Sequence, residues 1–270
     1  MTQTVEAPPR ATTIWPFLAL AFGIAWGWMA LSCLVFDLSF ANPLVQIPCG
    51  FAPAIAAVVV RRWISREGFA DAGSRPRLRA AWPYYVLAWL VPFGIAAVVL
   101  VIAAASGKWD PALDEVVPGL PVWVLPLALG LLALVTTPLF WGEEFGWTGY
   151  LLVRIAPGRP RVAALAAGLV AAIWHYPLVL TDYDQYGNVL LGLVGWTAWI
   201  MCQEVLLAWL RERSGSVWPA CLAHAGNNMI LAPLIGVLIT TGAFSNEVVN
   251  FLVVAVLIVL ALRPLLTAHR

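Results

Sequence analysis

An all-α, polytopic membrane protein is the fold class this sequence predicts, and three observations predict it. The 270 residues are 62% hydrophobic and only 11% charged, with a mean hydropathy of +0.87, which lies outside the range of soluble domains. Apolar stretches recur near 14–36, 43–60, 82–105, 121–141, 162–180, 188–210, 216–239 and 248–266. Each approaches the roughly 20 residues a helix needs to cross a hydrocarbon core. None shows the period-two alternation of a barrel strand, and only a helix satisfies its own backbone in lipid without closing on a neighbour. About eight transmembrane helices then follow a short cytoplasmic tail at 1–13, within one transmembrane domain at 14–270.

Basic residues orient the spans. With the stretches numbered from one end, Arg10, Arg61, Arg62, Arg66, Arg75, Arg77, Arg79, Arg154, Arg159, Arg161, Arg211, Arg213, Arg263 and Arg270 all fall on one side and only Lys108 on the other. Such a bias marks the cytoplasmic side, so both termini are expected there. The opposite loops carry Asp37, Asp110, Asp114, Glu115, Asp182, Asp184 and Glu247. The loop 61–81 reads chiefly as the topological signal that holds it inside, and secondarily as a contact for anionic head groups.

The first span has an apolar region longer than the 7–15 residues of a signal peptide, which predicts a retained helix. Pro48, Pro53, Pro92, Pro126, Pro138 and Pro177 predict kinks, because each removes a backbone donor and crowds the preceding turn. Cys33, Cys49, Cys202 and Cys221 lie in apolar spans without a C-x-x-C pair and read as small packing residues. Trp15, Trp63, Trp82, Trp109 and Trp218 fall at span ends, as interface anchors do. Trp141, Trp147 and Trp174 instead stand beside polar residues, either walling a pocket or packing helices.

Four polar clusters interrupt the spans. Glu143-Glu144 is the first, and an ionised carboxylate in hydrocarbon costs several kcal/mol unless paired or wetted. His175, in Trp174-His175-Tyr176-Pro177, is the second; His224-Ala225-Gly226-Asn227-Asn228 is the third. His224 and Asn228 are four apart and share a helix face, whereas Asn227 points about a quarter-turn away. Gln203-Glu204 is the fourth; near a span end, Glu204 reads as a solvated charge within reach of Arg211 or Arg213. At about 1.5 Å per residue, Glu143, His175 and His224 reach comparable depths of roughly 10–20 Å and are compatible with one pocket.

A buried glutamate beside a like charge is suited to take a proton from water, and two histidines with an asparagine amide to orient that water and donate to an oxyanion. The same atoms permit a second scheme, in which Glu143, His175 and His224 hold a zinc-type divalent metal with one position left for water. There is no H-E-x-x-H, which sets aside the zincin pattern. A proton-coupled transporter would use the acidic pair as a relay but leaves His224-x-x-x-Asn228 unexplained and shows no duplicated half.

Glu143-Glu144-Phe145-Gly146-Trp147-Thr148-Gly149-Tyr150, then Trp174-His175-Tyr176-Pro177, then Ser214-Gly215-Ser216-Val217-Trp218-Pro219 leading to His224 and Asn228, resemble the motifs of the CAAX prenyl protease and bacteriocin-processing (Abi) family of intramembrane endopeptidases. The resemblance covers roughly 120–235. It implies Glu143 as water-activating base, His175 as its partner, His224 and Asn228 as the oxyanion-stabilising or metal-coordinating pair, and Glu144 as a supporting carboxylate. It implies as partners a prenylated, peptide or membrane-protein substrate and the bilayer, with no nucleic acid, and a cell-membrane location if the source is prokaryotic. Two positions depart from the pattern: Thr148 stands where the family usually has arginine, which implies either a protonated Glu144 or a substitute cation, with Arg154 as a candidate, and Ala171 stands where an aromatic residue is common. A catalytically silent scaffold or self-immunity protein that keeps the pocket is the alternative reading.

Overall fold

A computed structural model of the protein describes residues 13–180 and 186–267, and those residues are built from helices and turns. Arg10, Asp182, Asp184 and Arg270, with nearly all of the 1–13 tail, lie outside the described residues. Helix α1 spans Ile14–Leu34, α2 Pro43–Val59, α3 Leu78–Ala105, α4 Leu125–Gly146, α5 Leu152–Ile155 and α6 Pro160–Trp174. They are followed by α7 at Tyr176–Val179, α8 at Val189–Ser214, α9 at Trp218–Gly226, α10 at Ala232–Thr240 and α11 at Asn246–Thr267. Widened π-helical turns at Val60–Ile64, Trp147–Leu151 and Asn227–Leu231 extend α2, link α4 to α5 and link α9 to α10.

Among the described residues seven continuous segments are long and apolar enough to cross a bilayer, and this is an integral, multi-pass membrane protein. The eighth stretch, expected over 162–180, is a 15-residue helix that breaks at His175 before the short α7. Pro177 explains the break, because it offers no N–H to the carbonyl of Ile173 and its ring crowds that turn. The prolines otherwise divide by position. Pro48, Pro53, Pro92 and Pro138 do lie inside helices, as do Pro83 and Pro264, but Pro126 sits in the first turn of α4, where no donor is required.

The loops gather into two faces. On the arginine-rich face, Arg61, Arg154, Glu67 and Asp71 form ion pairs, Val217 N donates to the Gly73 carbonyl, and the Trp218 indole donates to Ser74. On the other face, Asn188 N donates to the Glu247 carboxylate, Asn250 donates to Tyr186, and Lys108 lies over the Phe244 ring. The 61–81 loop is therefore more than a topological marker, since Arg61 is fully buried beneath it. Burial alone would raise the Asp71 carboxyl, but the hydrogen bond and charge of Arg61, and then Arg154, hold it below the ordinary carboxylate value.

Small residues set the helix spacing. A Cβ on Gly142 would lie 2.9 Å from the Phe51 Cα, and one on Gly146 would lie 2.7 Å from the Pro53 carbonyl carbon, so α2 and α4 touch backbone to backbone. Gly142→Val is expected to cost about 2 kcal/mol by overpacking. Thermal unfolding in detergent measures it, with Gly23→Val, which meets no atom within 4 Å, as the unaffected control.

The first helix packs as a structural element: Phe17, Ala21 and Ala25 are fully buried, and Phe17 stacks on Tyr150 at 4.7 Å between ring centroids. All four cysteines are free thiols, so no bond joins Cys33 to Cys49. Trp15, Trp63 and Trp82 are exposed as interface anchors require, but Trp109 is buried and packs in the core around α3 and α10.

Candidate active site

Two carboxylate–histidine pairs stand side by side on α4. Glu143 Oε2 faces His175 Nε2 at 3.6 Å, too long for a hydrogen bond, while Glu144 Oε1 meets His224 Nδ1 at 2.8 Å. Consecutive residues on a helix diverge by about 100°, so the vicinal glutamates serve different neighbours. Glu143 turns toward the break after α6, and Glu144 toward α9.

The backbone decides the tautomer of His175. Its Nδ1 lies 2.8 Å from the Ala171 carbonyl oxygen, which can only accept, so Nδ1 carries the proton and the neutral ring presents its Nε2 lone pair to Glu143. The Ala171 backbone makes this contact, so it does not depend on an aromatic side chain at that position. Trp174 packs edge-on against the ring at 4.7 Å, and Trp196 lies 5.9 Å away on α8. Trp174 is itself held by donation from its indole to the Ala21 carbonyl. Trp141 and Trp147 differ from it: Trp141 stacks on Phe145, and Trp147 packs edge-on against Trp174 without lining the cavity.

On the second pair, the Glu144 carboxylate fixes His224 with Nδ1–H as donor, and Phe140 tilts over the ring at 4.8 Å. Asn228 Nδ2 donates to the His224 backbone carbonyl at 3.1 Å, leaving its second N–H uncommitted by that bond. His224 and Asn228 line one cavity, and so does Asn227, contrary to the quarter-turn separation expected of a regular helix. The widened turn beginning at Asn227 changes the angular step and brings both asparagines to the same wall.

Two expectations are corrected. Arg154 does not neutralise Glu144; its guanidinium donates to Glu67 at 2.6 Å, to Asp71 at 3.2 Å and to the Tyr150 carbonyl at 3.1 Å. Thr148 is fully buried, and its hydroxyl donates to the Glu144 carbonyl, a backbone acceptor at the start of the widened turn. Glu204 is no solvated terminal charge either. It is buried, with an exposure of 3%, because α8 packs against α6 so closely that a Cβ on Gly168 would lie 3.1 Å from the Glu204 Cβ. Its carboxyl is within electrostatic range of Glu144 and Glu143, whereas Arg211 donates to the Asp71 carbonyl.

Glu204 was legible in the sequence as a polar residue, but its place near Glu143 and Glu144 was not. A signal against the solvated end was present: it stands a full turn or more inside α8 from Arg211, too far for the helix end to be its neighbour. Glu143 Oε2, Glu144 Oε2 and Glu204 Oε1 find no hydrogen-bond partner among the described residues. Replacing Glu204 by Gln removes a buried carboxyl with an unpartnered oxygen from a cluster of three and is expected to raise stability by about 1 kcal/mol. A fall in the thermal midpoint would show instead that the carboxylate is held by a partner.

A cavity of about 540 Å³ joins Glu143, His175, His224 and Asn228, within the size range of ligand sites. Zinc fits poorly. Among the described residues no three His, Cys, Asp or Glu side chains converge as metal ligands.

Residues 121–230 match the family model of the type II CAAX prenyl endopeptidases, Rce1-like. The match spans 110 of the 270 residues and shows that this stretch is similar to that family. The Rce1-like domain runs from just before α4 to the widened turn at Asn227, and so contains Glu143, Glu144, His175, Glu204, His224 and Asn228. The family it resembles is one of CAAX-type endopeptidases. No curated protein matches the chain.

Proposed function

We propose that the protein is an intramembrane endopeptidase in which Glu143 and His175 activate the water that attacks a peptide carbonyl. The observation that carries this reading is the 3.6 Å approach of the Glu143 carboxylate to a histidine nitrogen whose proton sits on the far side of the ring. Two acceptors facing each other repel unless a donor lies between them, and a water giving one proton to each is that donor. As its oxygen bonds to the carbonyl carbon, one proton passes to Glu143, which then delivers it to the leaving amine as the C–N bond breaks. Negative charge on the former carbonyl oxygen is met by the free N–H of Asn228 and by the Nε2–H of a doubly protonated His224, whose Nδ1–H Glu144 holds.

No step needs a metal. Cleavage of a fluorogenic membrane peptide in proteoliposomes is expected to continue at an unchanged rate after treatment with a zinc chelator. His175→Ala is expected to lose roughly 100-fold or more. Loss on chelation with specific recovery on adding zinc would replace this scheme with metal coordination.

A further inference from the structure

The cavity reaches only one face of the membrane. On α2 it is lined near the start of the helix, by Gln46, and on α4 from Thr136 to Glu143. On α8 and α10 it is lined from Trp196 to Gln203 and from Ala232 to Ile239. The α2 and α10 segments adjoin the loops at 35–42 and 241–245, whereas those on α4 and α8 lie at mid-helix, so the cavity runs from that face to the middle of the spans. Exposed Gln46 and Ile47, in the first turns of α2, mark the open end.

Toward the other face the path is shut. The α2 and α4 backbones meet at Gly50 and Gly142, and beyond them Trp147, Leu151, Arg61 and Arg154 are all buried. Ala72, from the arginine-rich loop, presents its carbonyl 3.1 Å from where a Cβ of Gly149 would lie. The closed face bears Arg61 through Arg79 and the arginines at 154, 159, 161, 211 and 213, while the open face bears Lys108 as its one cation among the described residues. Arginine-rich loops stay in the cytoplasm, so the open face is the non-cytoplasmic one.

The lining narrows what enters. Gln46, Gln203, Asn227, Asn228, Asn246 and Asn250 put six carboxamides on the walls, and no Lys or Arg lines the cavity among the described residues. Each carboxamide both donates and accepts, which matches an extended peptide backbone, and such a backbone at membrane depth must pair its N–H and C=O groups.

We infer that the cavity takes an uncharged, extended peptide segment presented from the arginine-poor, non-cytoplasmic face of the membrane. The substrate half of this inference rests on the endopeptidase reading; the sidedness half does not. Gln46→Cys and Ser74→Cys, one at the open end and one on the exposed arginine-rich loop, are each expressed in intact cells and exposed to a membrane-impermeant maleimide, with the wild type as background. Gln46→Cys is expected to label from outside, and Ser74→Cys only after permeabilisation.

The reverse pattern, or Gln46→Cys that labels from neither side, overturns the sidedness whether or not the protein cleaves anything. In a Glu143→Gln background, which prevents turnover, an excess of an uncharged apolar peptide is expected to slow Gln46→Cys labelling about tenfold, while the same peptide carrying two lysines does not. Equal protection by both peptides, or by neither, overturns the substrate class.

Discussion

Glu143→Gln is expected to lower peptide cleavage in proteoliposomes by about 10²–10⁴-fold, the range for loss of a positioned general base. The change keeps the shape of the side chain but replaces an acceptor-only carboxylate with an amide that cannot take a proton near neutral pH. Packing should survive, because Glu143 makes its approach to His175 at 3.6 Å and the close contact at Gly142 does not involve its carboxyl. The thermal midpoint is therefore expected to stay unchanged while the rate falls. Glu144→Gln serves as the comparison. It alters the partner of His224 at 2.8 Å rather than the base, so a smaller loss in rate and a larger loss in stability are expected. Cleavage by Glu143→Gln at the wild-type rate would remove Glu143 from the chemistry.

Arg61→Met or Arg154→Met is expected to cost about 3 kcal/mol of stability, toward the lower end for breaking a buried ion pair. Both guanidiniums are essentially inaccessible, at 0% and 1% side-chain exposure, whereas Glu67 and Asp71 keep 27% and 40%, so the stranded carboxylates recover some solvation. Arg61 donates to the Gly68 carbonyl and to Asp71, both at 2.7 Å, and also to the Gly149 carbonyl. Arg154 lies 4.1 Å from the centre of the Tyr150 ring. Losing either should therefore loosen the loop from the turn that follows Glu144, and proteolytic nicking within 65–77 reports it.

The same cluster predicts a pH dependence with a definite sign. The folded state holds the Asp71 carboxyl below its ordinary value near 3.8, so its stabilisation is complete above that value and is lost as pH falls through the lower, folded one. Asp71→Asn is expected to flatten the acid limb of stability and leave the neutral region lower by a constant amount.

Much of this protein is legible in one dimension because the bilayer imposes strong constraints. Length and apolarity mark the spans, and the alternation of Arg61–Arg79, Arg154–Arg161 and Arg211–Arg213 with arginine-poor loops sorts those loops into the two faces that the structure brings together. The polar residues that face one cavity were legible as well, since Glu143, His175, His224 and Asn228 each sit where lipid would penalise them. Less legible was the company they keep. Arg154 read as a cation for Glu144 by proximity along α4 and α5, but a loop more than eighty residues earlier supplies its carboxylates. Glu204 read as a solvated end because its sequence neighbours are arginines, and packing of α8 against α6 and α9 buries it instead.

What the sequence by itself determined is therefore the membrane-spanning, all-helical class, the segregation of its loops and the identity of the polar residues, because each follows from local composition and the free energy of transfer to lipid. Only the tertiary structure decided the pairings: Glu143 with His175, Glu144 with His224, Arg61 and Arg154 with Asp71, and a cavity open away from the arginines. Pairing depends on which helix faces which, and that is set here by backbone contact at Gly142 and Gly146, by the break at His175 and by the widened turn at Asn227. None of these distances scales with separation along the chain.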